Sequence, residues 1–126
     1  MKKIFIALVF ALIGITKAMA LQPLPQRILF AADSVNIAES QMERLGLVAE
    51  YIKNHPGENV IVGGFTSNKT PEAKIDALTT QRANNVRNML IKNYGIAESR
   101  LTSIGVGVST KYDDTTFNEY VSFFIP

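Results

Sequence analysis

The run Val60-Ile-Val-Gly-Gly-Phe-Thr66, followed by Thr70-Pro71-Glu72 and a helical pattern reaching Asn93, leaves few folds open to this chain. A short apolar run ending in glycines reads as a buried strand whose end bends or is approached closely by other backbone. Beyond the polar loop at 66–69, a threonine, a proline and a glutamate in succession make a helix start: a capping oxygen, a preset φ, and an acid where the helix dipole favours it. Tyr94-Gly95 supplies the stop. A strand feeding a helix that feeds another strand is a crossover unit, so parallel pairing is expected with the helix packed on the sheet.

One residue of that helix breaks its pattern. At about 100° per residue, Ile75, Leu78, Thr79, Val86, Met89 and Leu90 share one apolar stripe, and Arg82 projects from near its middle. Arginine is almost never fully buried without a partner. Something anionic must meet the guanidinium: either a carboxylate of the chain itself, with the stem snorkelling outward, or the acid group of a ligand.

The rest of the chain is read around this unit. Lys2 and Lys3, an apolar stretch from Ile4 to Ile15, and Ala18-Met19-Ala20 have the layout of a bacterial export signal cleaved after Ala20. The stretch is shorter than the roughly 20 residues a spanning helix needs. No cysteine follows it, so a lipoprotein anchor and any direct membrane anchor after cleavage are not expected. Three of the 13 basic residues, Lys2, Lys3 and Lys17, leave with the signal, so ten face 11 acidic ones. That balance gives no support to nucleic-acid binding. The expected location is the periplasm.

Residues 21–26, Leu-Gln-Pro-Leu-Pro-Gln, read as a short extended leader, and residues 27–126 as one domain. Arg27 to Ala31 is a first strand, apolar enough to be central. A helix is expected from about Asn36–Ala38 to Asn54, with Asn36 and Glu39 spaced as a capping box. His55-Pro56-Gly57 ends it, and the lone histidine there reads as structural or solvated. Arg100 to Gly107 is a third strand. Asn118 to Ile125 is a fourth, with Tyr120, Ser122 and Phe124 alternating with Val121, Phe123 and Ile125. The order βαβαββ predicts an α+β fold: a mixed parallel and antiparallel four-stranded sheet with two helices on one face.

Catalysis finds little to work with. The chain has no cysteine and one histidine, and it lacks the metalloprotease, nucleophile-elbow and phosphate-loop patterns. No metal, cofactor or catalytic residue is predicted.

Set in order, Ile28-Leu-Phe30 with Ser34, Val60 to Thr66, Leu78-Thr-Thr-Gln-Arg-Ala-Asn-Asn-Val86, and Gly95-Ile96 with Arg100-Leu101 and Gly105-Val-Gly107 resemble the OmpA-like C-terminal domain, a peptidoglycan-binding module. The resemblance covers roughly Ile28 to Ile125. It implies that Arg82 is the arginine that grips the carboxylate of the stem-peptide diamino acid, a task suited to a planar guanidinium. The family's aspartate, which receives the ligand ammonium, falls at Ser67, after Thr66. The family's terminal Asn-Arg-Arg-Val falls at Asn118-Glu119-Tyr120-Val121.

The resemblance therefore implies a ligand site of Arg82, Ser67, Thr66, Asp33 and Asn118, with Asp33 able either to pair with Arg82 or to meet a ligand amine. Ser67 carries no charge, and losing one charge-assisted contact is worth about 1.5–3 kcal/mol. Ile75 replaces the family's asparagine and Glu119-Tyr120 its arginine pair. Two functions follow: a peptidoglycan-binding envelope module of weakened affinity for the stem peptide, or the same fold with the site lost, acting on an envelope protein partner.

Overall fold

In the computed structural model, which describes residues 21–126, the strand read as buried, Val60–Thr66, is buried along its whole length. β1 is Gln22–Leu29, α1 Met42–Asn54, β2 Val60–Thr66, α2 Glu72–Tyr94, β3 Leu101–Val108 and β4 Tyr120–Ile125. The signal expected at residues 1–20 lies outside the described residues. The four strands form one sheet in the order β1-β4-β2-β3. β2 and β3 are parallel, while β4 runs antiparallel to both β1 and β2. The two crossover-linked strands β1 and β2 thus run parallel without touching, because the last strand has inserted between them.

Both helices lie on one face. Val60 and Val62 of β2, Val121 and Phe123 of β4, and Ile28 of β1 pack in one core with Leu45, Val48 and Ile52 of α1 and Ala83, Val86 and Leu90 of α2. The alternate residues Phe65, Val106 and Tyr120 form a smaller cluster on the opposite face. This is the period-two alternation anticipated for β4. α2 sits directly on β2 and β3. A Cβ at Gly64 would collide with the backbone carbonyl of Thr79, and one at Gly105 would lie 2.6 Å from the Thr79 hydroxyl. The glycines admit the helix, as the close-approach reading of Gly64 required.

The structure corrects several boundaries. The segment expected as a leader is strand: β1 begins at Gln22, pairs with Ile125, and passes through a register shift between Pro23 and Arg27. β1 is an edge strand and not the central one its apolar run suggests; Pro23 and Pro25 are tolerated there, and Leu24 is buried in the main core. The Asn36–Glu39 capping box does not form. A 3-10 turn at Glu39–Gln41 precedes α1 and carries no side-chain cap. Thr70 does not cap α2 either, since its hydroxyl is 2.6 Å from that of Thr66. The strand expected from Asn118 begins at Tyr120, with Thr115–Asn118 in a 3-10 turn. The stop at Gly95 holds: its φ is +70°, and the N–H of Ile96 donates to Leu90 O, as in a Schellman ending.

Candidate functional site

Arg82 is brought to the carboxyl-terminal ends of β1 and β2 by α2, and there it is 0% exposed. The turn that leaves β1 supplies two of its acceptors. Nε donates to Ser34 O at 2.7 Å and Nη2 to Ala31 O at 3.1 Å. That turn is closed by a bond from Ser34 N to Ala31 O, with Asp33 in the left-handed region at φ 62°. An aspartate tolerates that conformation better than most side chains. From the end of β2, Phe65 O accepts from Nη1 at 2.9 Å. The Phe30 ring lies 5.1 Å from the guanidinium carbon.

The anion is Glu119. Its Oε1 is 2.7 Å from Arg82 Nη1 and also accepts from the Thr66 hydroxyl at 2.8 Å. Glu119 is itself 5% exposed, and its backbone is pinned by Phe30 N–H donating to its carbonyl at 2.8 Å. Burial alone would push this carboxyl up. The hydrogen bond from Arg82, with the hydroxyls of Ser67 and Thr66 and the Arg82 charge, outweighs it and holds the group below the usual glutamate range.

The structure brings Arg82, Thr66 and Ser67 together as a buried cluster. Asn118 is buried beside it but turned to the loop: its Oδ1 accepts from Tyr112 N–H and the Ser109 hydroxyl, and its Nδ2 donates to Tyr112 O. Asp33 is exposed. Its carboxylate does not pair with Arg82; the turn it shapes contributes backbone carbonyls instead. Of the two partners open to Arg82, the structure supplies a carboxylate of the chain itself, and the β1–α1 turn and Glu119 close around the guanidinium. His55 keeps to a structural role, stacked on Tyr51 with Nδ1 2.8 Å from Tyr51 O.

Sequence reasoning missed Glu119. The available signal was a carboxylate standing where the OmpA-like pattern has an arginine, immediately before an apolar strand.

Comparison with known proteins follows the same lines. The OmpA family model matches residues 29–122. The chain belongs to the OmpA family. It is 28% identical over 90 residues to outer membrane porin F of Pseudomonas aeruginosa, covering 71% of this chain and 26% of that protein. It is 29% identical over 85 residues to the peptidoglycan-associated lipoprotein of Legionella pneumophila, covering 68% of this chain and 48% of that one. The chain therefore spans about half the length of these curated relatives or less.

Among solved structures, the periplasmic domain of Helicobacter pylori MotB (residues 90–256) superposes with a TM-score of 0.67 at 25% identity, over 83% of this chain and 76% of that one. The peptidoglycan-associated lipoprotein of Burkholderia pseudomallei gives 0.65 at 20% identity, over 79% and 87%. The fold is that of the OmpA-like domains, which are non-catalytic structural or binding modules. Its homologues are proteins of the outer membrane and cell envelope. Among the described residues, no helix is long and apolar enough to cross a membrane.

Proposed function

We propose that this chain is a periplasmic, non-catalytic envelope component that keeps the OmpA-like fold while its own Glu119 occupies the acid-binding seat. It then serves as an interaction or assembly module rather than as a stem-peptide anchor working through Arg82. One observation carries the reading: a fully buried guanidinium meets a carboxylate of the same chain at 2.7 Å. An outside acid must displace a tethered one, and tethering over a short reach gives an effective concentration on the order of millimolar or more. The backbone of Glu119 is fixed by Phe30, and the preceding Asn118 is fixed by Tyr112, so the occupant has little freedom to withdraw. At the other end of the site, Ser67 offers no charge to a ligand ammonium.

The competing reading is weak capture of the stem-peptide carboxylate by Arg82. It is supported by family membership and by the clustering of Arg82, Thr66 and Ser67, and it requires Glu119 to leave. Sedimentation with purified sacculi decides between them. The proposed function expects the protein to stay in the supernatant at physiological salt while a peptidoglycan-associated lipoprotein control pellets. Pelleting that is competed away by a free stem peptide ending in a diamino acid rejects it in favour of capture.

A further inference from the structure

We propose that the groove between the β1–α1 segment and the last turns of α2 binds an extended, acidic peptide segment of a protein partner by its main chain. The inference rests on the reading of the chain as an interaction module and adds the surface that does the interacting. None of Arg82, Thr66, Ser67 and Glu119 lines it.

The groove has a volume of about 430 Å³, within the range of roughly 300–1,000 Å³ usual for ligand sites. Its walls are tied together by the fold. Asn85 Nδ2 donates to Val35 O at 2.8 Å and Arg82 Nε to Ser34 O at 2.7 Å, so the chain leaving β1 is held along α2 at successive residues. Half-buried Val35, Ile37 and Met89 make an apolar floor, and Ile37 and Met89 continue into the main core. Exposed Asn36 stands on one wall, and Asn88, Lys92 and Asn93 on the other.

The polar groups choose the ligand. Among the described residues, the side-chain amides of Asn36, Asn88 and Asn93 make no hydrogen bond within the chain, and Lys92 has no ion pair. Each amide carries donors and an acceptor, the complement of a peptide group, which offers one of each. Amides on both walls can therefore take the N–H and C=O groups that an extended chain presents along its edges. Its side chains alternate in direction, so every second one reaches the apolar floor. Among the described residues lining the groove none is aromatic, so a sugar ring finds no flat face to stack on. Lys92 is the one charged residue among them, and a segment that complements it carries a carboxylate. From Asn85 to Asn93 the groove follows α2 for about 12 Å, a span that an extended peptide covers in three to four residues at about 3.3 Å each.

The test is a titration of isotope-labelled protein, followed by nuclear magnetic resonance, with the acetylated and amidated tetrapeptide Leu-Ser-Leu-Glu and with the same peptide ending in lysine. The expected result is that the side-chain amide signals of Asn36, Asn88 and Asn93 move and saturate with the acidic peptide, which binds more tightly than the basic one. Asn88→Ala, at an exposed position, is expected to keep the fold and to weaken binding about two- to tenfold, the worth of one net hydrogen bond. Lys92→Glu is expected to reverse the preference between the two peptides. No saturable movement at these amides overturns the inference, as does movement that is unchanged in both variants. Movement with a disaccharide of N-acetylated amino sugars but not with peptide assigns the groove to a glycan, and movement on raising the protein concentration alone assigns it to a second copy. Either result overturns the inference. Pelleting with sacculi that a free stem peptide competes away counts against the proposed function alone. Silent amides in the groove count against the groove alone.

Discussion

Exchanging Arg82 for methionine and Glu119 for glutamine, singly and together, asks how much of the domain hangs on the buried pair. Glu119→Gln keeps an oxygen that accepts from Arg82 and Thr66 but removes the charge. Its cost is that of weakening a charge-assisted bond, about 1.5–3 kcal/mol. For a domain of this size that lowers the melting temperature by roughly 6–24 °C, at about 4–8 °C per kcal/mol. Arg82→Met is worse for two reasons. It strands a buried carboxylate, worth about 3–5 kcal/mol, and it takes the guanidinium donor from the carbonyls of Ser34 and Phe65, each at about 1–3 kcal/mol unless water reaches it, while Ala31 O keeps its bond from Ser34 N–H. That total approaches the whole stability of a typical domain, roughly 5–15 kcal/mol. The double variant no longer buries an unpaired charge and should fall short of the sum of the singles by about 1 kcal/mol or more. Urea titrations followed by circular dichroism measure all three. An Arg82→Met cost under about 1 kcal/mol, or strict additivity in the cycle, refutes the view that the pair closes the fold at this end.

Acid should act through the same carboxylate. Its folded pKa is held below the unfolded value, so its stabilising contribution is complete above the unfolded value of about 4.3 and is lost as pH falls through the folded one. Urea midpoints of the wild type should drop in that acidic window, and those of Glu119→Gln should drop less. Asp33→Gly is expected to be neutral or stabilising by up to about 1 kcal/mol, because the left-handed φ suits glycine, whereas Asp33→Val should cost about 1–2 kcal/mol; melting temperatures compare the two. Gly64→Ala places a methyl group against the Thr79 carbonyl and should cost at least the roughly 1–3 kcal/mol typical of overpacking, detectable as a fall in the urea midpoint.

The features legible in the sequence are those carried by neighbouring residues. The buried strand β2, the stripe of α2 with Arg82 in its midst, the Gly95 stop and the alternation of β4 each depend on spacings within one element. Caps were read less well, because both predicted capping residues face competition. Asn36 follows a turn organised by Ser34, whose hydroxyl accepts from Asn36 N–H at 3.1 Å, and Thr70 is drawn into the Thr66–Glu119 cluster. The start of β1 was missed because two prolines argue against a strand, and only its position at the edge of the sheet makes them acceptable. The partner of Arg82 lies 37 residues further along the chain, and no local periodicity connects the two.

What connects them is topology. β4 enters between β1 and β2 and runs against both, so its first residues meet the last residues of its neighbours: Tyr120 stands beside Leu29 and Val121 beside Gly64. Residue 119 is thereby delivered to the carboxyl-terminal ends of two parallel strands, the place where open α/β sheets tend to hold ligands. Arg82 reaches the same place from α2. Whatever stands at 119 therefore faces a buried guanidinium at the mouth of the sheet, and its charge decides the state of that mouth. A cation there would add to the positive potential and leave the guanidinium dependent on an outside anion. The glutamate of this chain supplies the anion itself, bonded to both Arg82 and the Thr66 hydroxyl, and so ties the start of β4 to the end of β2 and to α2.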